Sequence, residues 1–200
     1  MGKTTVWNVT FEGDEITTTV TSSGSAVAGW IDEVRSVHRR RLYKLVVGLD
    51  VEWRPVFGYG YNRTALLQLC VGRRCLIFQL LHADNFPKAL REFLGDSGFR
   101  FVGVGVAADA ERIRNDYGLA VGSTVDLAVL ASEKMGRPDL RYAGLKAIAK
   151  AVMDADVEKP FDVRTGEWDG YSLSGAQVRY ACIDAFVSFE VGRMLISGDY

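Results

Sequence analysis

Three apolar runs in succession constrain this chain more than anything else in it. They are KLVVGLDVEW at 44–53, ALLQLCVG at 65–72 and RCLIFQL at 74–80. Each reads as a short strand, and Gly72-Arg73-Arg74 separates the last two. Three consecutive strands with tight links form an antiparallel meander. Downstream the pattern changes to alternating helices and strands. DNFPKALREFLGD reads as a helix ended by Gly95, FRFVGVGVA as a strand, and ADAERIRNDYG as a helix closed by Gly118. STVDLAVLASEKMG gives a short strand and a helix, and YAGLKAIAKAVM a helix starting near Gly144. A Gly-rich charged loop, VEKPFDVRTGEWDGYS, precedes a long closing helix over LSGAQVRYACIDAFVSFEVGRML, with Ser174 at its N-cap. Upstream, the Thr/Val-rich TTVWNVTFEGDEITTTVT breaks at Gly13-Asp14 and reads as a hairpin. Val27, Trp30, Ile31, Val34 and Val37 then recur at helical spacing. The fold class is therefore α/β: a mixed central sheet, antiparallel meander plus parallel strands, flanked by helices.

The bulk properties narrow the function. Two hundred residues with 48% hydrophobic content suit one α/β domain. With 24 basic and 25 acidic residues the net charge is −1, which argues against a general nucleic-acid coat protein. Three cysteines, Cys70, Cys75 and Cys182, without paired spacing or a signal peptide, suggest a reducing intracellular compartment, cytoplasm or nucleus. Cys70 and Cys75 lack the nearby His of a zinc site and read as buried thiols. No apolar run reaches about 18 residues, so no membrane span is expected. Asn8-Val9-Thr10 and Asn62-Arg63-Thr64 match a glycosylation pattern that an intracellular chain does not use.

The chemistry rests on four carboxylates and one phenol. Asp50 and Glu52 end an apolar strand and share one of its faces, because side chains alternate along a strand. Tyr180 and Asp184 are one helical turn apart and share a face of the closing helix. Asp109 follows FVGVGVAA. Each has a plainer reading alone: a solvated strand end, a helix first-turn acid, a core tyrosine. As a converging set, they would repel one another unless divalent cations sat between them. Carboxylate-held ion pairs are the usual device for in-line displacement at phosphorus, which points to a metal-dependent phosphodiesterase. Hard oxygen ligands suit Mg2+, with Mn2+ as a substitute, over zinc.

The ordered set Asp-x-Glu, GVGxxxD and Tyr-x-x-x-Asp resembles the DEDDy branch of the DnaQ-like 3'-5' exonucleases, which have a ribonuclease H-like fold. LDVEW, ALLQLCVG, FPKALREFL, GVGVAAD, VDL and LSGAQVRYACIDA also resemble, in order and spacing, the Werner-type exonuclease domain and its small plant relatives, the RISC-interacting clearing exoribonucleases. The resemblance covers residues 14–197 and implies a single exonuclease domain over 1–200, with the N-terminal strands and helix (4–38) integral to it. It implies that Asp50, Glu52 and Asp184 bind a first Mg2+ and that Asp50 bridges to a second. Asp109 would reach the second ion directly or through water, and Tyr180 would orient the attacking water. Products would be 5'-mononucleotides from a free 3' end. It leans to single-stranded RNA, with DNA as the alternative. It also implies a ring-shaped homo-oligomer such as a hexamer, and an Argonaute (RISC) partner.

Further residues have weaker signals. Trp53, Leu66 and Gln68 are expected to shape the approach of the terminal base and sugar, or to pack the core. Lys159 and Arg164 lie in the loop before the closing helix and are expected to contact phosphate, or simply to be solvated. Trp168 is expected to anchor that loop. Arg39-Arg40-Arg41 reads as helix-end surface, where cations suit the dipole. Ala107-Ala108 stands where relatives carry a Gly-containing turn. A demand for positive φ there would displace Asp109. The competing class is a non-catalytic binding module that keeps the fold.

Overall fold

A computed structural model describes residues 2–200. Its centre is a seven-stranded sheet of order β1-β2-β5-β4-β3-β6-β7. β1 (Thr4–Phe11) and β2 (Asp14–Thr21) form the expected hairpin. Its turn is Glu12-Gly13, one residue earlier than the polar break suggested, with φ of +48° and +83°. β3 (Val46–Glu52), β4 (Leu66–Val71) and β5 (Arg74–Gln79) are the antiparallel meander. Only its second link is tight. Residues 53–65 form a long loop between β3 and β4, which strand patterning alone does not reveal. β2 joins the meander by parallel pairing with β5, so the N-terminal hairpin belongs to the same sheet. β6 (Arg100–Gly103) and β7 (Thr124–Asp126) extend the other side in parallel.

Among the described residues, seven α-helices accompany the sheet: α1 (Gly24–Val37), α2 (Lys88–Gly95), α3 (Val106–Tyr117), α4 (Leu127–Met135), α5 (Leu145–Met153), the short α6 (Phe161–Arg164), which packs on α7, and α7 (Gly175–Ser197). Neighbouring residues of β5 show that both faces are covered. Arg74 pairs with Glu33 of α1. Cys75 points the other way. It sits opposite Thr18, whose hydroxyl donates to Cys182 of α7 at 3.1 Å. The α1 stripe is as expected except for Val37, which is half-exposed at the helix end. All three cysteines are free and buried. The charged loop before α7 is partly ordered into α6.

α7 is the element that positions the site. Its start is fixed by a capping box: the Ser174 hydroxyl accepts from the Gln177 N–H, and the Gln177 side chain accepts from the Ser174 N–H. Such a cap stabilises a helix by about 1 kcal/mol. The helix then lies against β3, β4, β5 and β6. Backbone contact with β3 is so close that a Cβ at Gly48 would stand 2.1 Å from the Ala185 carbonyl oxygen. Glycine at 48 lets a strand and a helix approach until their carboxylates meet.

Candidate active site

Gly48, Asp50 and Glu52 share the face of β3 that α7 covers. Gly48 brings the helix in, and the next two positions on that face are acidic. Asp184 precedes Ala185 on α7 and is 3% exposed. One carboxylate oxygen from each of Asp50, Glu52 and Asp184 lies within 4.8 Å of the others. Asp109 lines the same cleft but stands outside this triad. The cleft has a volume of about 490 Å³ and is also lined by Trp53, Lys159, Arg164 and Tyr180.

The left-handed turn at the α3 entrance falls on Gly105 (φ +69°), whose N–H donates to Asp126 at 2.8 Å. Ala107 and Ala108 are already helical, so they impose no strain. Asp109 sits in the first turn of α3 and faces the cleft.

The electrostatics are those of crowded acids. Burial pushes the Asp50 carboxyl well above its ordinary range, and the Asp184 and Asp109 charges push it further. Lys159 and the Val51 N–H, which donates to Asp50 at 2.9 Å, oppose this. Glu52 is raised by burial and by Asp50 and Asp184. Asp109 is pushed up by burial to about 7, against the pull of Arg112. Asp184 is raised by burial, against the Lys159 ammonium that donates to its Oδ2. Burial disfavours the Lys159 charge, but Asp184 outweighs it and holds the lysine protonated. Tyr180 is pushed up to about 12, by burial first and Asp184 next. The Lys159 Nζ stands 5.2 Å from its ring.

The structure therefore brings Asp50, Glu52, Asp109, Tyr180 and Asp184 to one cleft, with Trp53, Lys159 and Arg164 on its walls. Leu66 and Gln68 are different. They lie opposite Glu52 and Asp50 on β4 and are fully buried, so they pack beneath the site and do not face its opening. Neither polar atom of the Gln68 amide has a hydrogen-bond partner. Trp168 anchors its loop as expected: it is fully buried, its Nε1 donates to the Arg164 carbonyl at 3.0 Å, and its ring lies 5.7 Å from that of Tyr180. Sequence reasoning missed Ser188 and Leu145, which also line the cleft. Ser188 is one helical turn beyond Asp184, a spacing that could have found it.

Acids this close, countered in direct contact by one lysine, suit hard divalent cations. Among the described residues, no helix is long and apolar enough to cross a membrane.

The chain is similar to known proteins. In the curated set, a 3'-5' exonuclease of Arabidopsis thaliana is 34% identical over 152 residues, covering 74% of this chain and 52% of that protein. The bifunctional 3'-5' exonuclease/ATP-dependent helicase WRN of Mus musculus is 29% identical over 152 residues, covering 75% of this chain and 11% of that protein. The chain thus spans about half, or less, of the length of these relatives. Among solved structures, Escherichia coli RNase D superposes with a TM-score of 0.73 at 20% identity, covering 88% of this chain and 43% of that one, a likeness of fold. The exonuclease domain of EXD2, soaked in Mn and Mg, gives a TM-score of 0.52 at 26% identity, covering 90% of this chain and 89% of that one. The ribonuclease H-like fold expected from the sequence is the fold observed. The family model for 3'-5' exonucleases matches residues 21–196, from the end of β2 almost to the end of α7, and this chain belongs to that family.

Proposed function

We propose that this chain is a divalent-cation-dependent 3'-5' exonuclease that releases 5'-mononucleotides one at a time from a free 3' end, with single-stranded RNA preferred. The observation that carries it is the triad of Asp50, Glu52 and Asp184, held within 4.8 Å at the floor of a nucleotide-sized cleft. Asp50, Glu52 and Asp184 would hold Mg2+ or Mn2+, with Asp109 completing the set for a second ion. Bound there, the ions supply the charge that acidifies water and stabilises a leaving 3'-oxygen.

The remaining steps belong to the chain. Tyr180, with its phenol pushed up to about 12, keeps its proton at neutral pH. It orients the attacking water through its hydroxyl and leaves proton abstraction to others. Arg164 on the cleft wall offers a planar donor fork to phosphate. Lys159 holds Asp184 in place and lends a second positive charge to the phosphate path. Trp53 offers a flat apolar wall to the terminal base.

The preference for RNA rests on the resemblance to small plant exoribonucleases. DNA is the competing substrate, because WRN and EXD2 are relatives, and EXD2 crystals were soaked with both GMP and dGMP. A homo-oligomer and an Argonaute partner rest on the same resemblance as the RNA preference. The deciding experiment follows labelled RNA and DNA of one sequence, single- and double-stranded, with Mg2+ and with EDTA. Metal-dependent shortening from the 3' end is expected, fastest on single-stranded RNA, and Asp50→Asn abolishes it. No shortening of any strand, or cleavage from the 5' end, refutes the reading. Retained binding with no wild-type turnover identifies a non-catalytic module. Light scattering on the same protein reads the oligomer.

A further inference from the structure

The loop between β3 and β4 carries Trp53, Phe57, Tyr59 and Tyr61 within nine positions of one another. Its two ends are pinned. Arg54 pairs with Glu167 at 3.0 Å and Asp169 at 3.4 Å. The Tyr61 hydroxyl donates to Asp116 at 2.8 Å, and the Thr64 N–H and hydroxyl each donate to the same carboxylate at 2.7 Å. The Arg112 guanidinium lies 4.0 Å from the Trp53 ring centre and 4.5 Å from that of Tyr61. Between the pins the chain projects. Phe57 is 85% exposed and Tyr59 is fully exposed. They are separated by Gly58 (φ +110°) and followed by Gly60 (φ +145°), conformations that favour glycine.

Two aromatic rings at the tip of a braced loop give the fold little buried area. Their surroundings indicate what they meet. Trp53 and Pro55 line the acidic cleft, so the loop begins at its rim. At about 3.5 Å per residue, Tyr59 lies no more than about 25 Å from Glu52. At the base of the loop, Arg63 and Arg112 donate to the backbone carbonyls of Asp116 and Asn62 and form no salt bridge among the described residues. Arg63 also lies over the Tyr117 ring at 4.4 Å. Projecting aromatic rings on a loop whose base carries guanidinium groups without a salt-bridge partner match the chemistry that stacks unpaired bases and follows a phosphate backbone without reading sequence.

We infer that the Phe57–Tyr59 tip is a stacking platform for the unpaired bases that lead to the 3' end in the cleft. The polarity of that strand rests on the exonuclease reading; the stacking itself does not. A duplex hides its base faces, so the platform selects single strands.

The test pairs Phe57→Ala/Tyr59→Ala with Phe57→Tyr/Tyr59→Phe. Binding of a fluorescent oligo-uridylate is measured by anisotropy in an Asp50→Asn background with Mg2+, where no turnover interferes. Loss of the rings raises Kd at least about fivefold, and the conservative pair restores it. In the active protein KM for a long single strand rises similarly, while dinucleotide turnover is unchanged. An unchanged Kd and KM overturns the platform. So does an equal loss on the dinucleotide, or a changed assembly state by light scattering, which would give the rings to a second copy. If the wild type binds through the loop yet never shortens the strand, the exonuclease reading fails and the platform stands. If shortening persists with unchanged KM in the double alanine variant, the platform fails and the exonuclease reading stands.

Discussion

Gly48→Ala tests whether the close seat of α7 on β3 makes the site. A Cβ at Gly48 would stand 2.1 Å from the Ala185 carbonyl oxygen, 2.8 Å from the Phe189 nitrogen and 3.0 Å from the Phe189 Cβ. The first two are backbone atoms, so no rotamer change relieves the clash. Reaching ordinary contact at 3.4 Å requires the helix to withdraw by roughly 1.3 Å. Overpacking of this kind costs about 1–3 kcal/mol, sometimes more. At about 2–4 °C per kcal/mol for a chain of this length, Tm falls by roughly 2–12 °C. Asp184 is the residue before Ala185 and moves with it, away from Asp50 and Glu52. A misplacement of about 1 Å costs on the order of a hundredfold in rate. The assay is mononucleotide release with Mg2+, normalised to the folded fraction from circular dichroism. Gly192→Ala is the control. It lies two turns further along α7, where a Cβ would meet the Val102 side chain at 2.7 Å, away from the cleft. That variant loses stability but keeps its rate per folded molecule. If Gly48→Ala is as stable and active as wild type, the wedge argument is refuted. If it is unstable but fully active per folded molecule, the link from helix seat to carboxylate geometry is refuted.

Three other outcomes are expected. Binding of Mg2+ or Mn2+ at 100 times Kd stabilises the fold by about 2.7 kcal/mol, a rise of roughly 5–10 °C in Tm that EDTA reverses and Asp184→Asn abolishes; an unchanged Tm refutes metal binding at the triad. Lys159→Met strips buried Asp184 of its partner and costs about 1–3 kcal/mol in EDTA, but much less in saturating Mg2+; equal losses in both conditions would show that the lysine is not balancing charge. Trp168→Ala empties a fully buried site beside Tyr180 and lowers stability by about 3–5 kcal/mol in denaturant titration; a loss below about 1 kcal/mol shows that the tryptophan does not anchor the loop.

The carboxylates were legible in the sequence because period-two and i,i+4 spacing fix their faces once the elements are known. Tyr180 and Asp184 follow directly from α7, and Asp50 and Glu52 from β3. Gln68 and Leu66 were not separable from a cleft wall, because β4 is buried on both faces and its residues show no inside-outside alternation. Lys159 comes from a loop, where no periodicity aims a side chain, so its contact with Asp184 needed coordinates. The Ala107-Ala108 question was settled by Gly105, which takes the left-handed turn before either alanine. The long loop at 53–65 was hidden because strand patterns reveal strands, not the length or shape of what joins them.

On the proposed function, the acidic triad also ties catalysis to folding. Asp50 and Asp184 are separated by well over half the chain, and no short segment can bring them together. Closing so long a loop has an entropic cost that is recovered only when α7 docks on a sheet already paired across β3, β4 and β6. Partial structures therefore have no partial active site. A nascent or half-unfolded chain cannot cut nucleic acid weakly, because two of its three closest acids would face solvent without the third. Activity is in this sense a long-range contact reporter, switched on with the last helix of the fold.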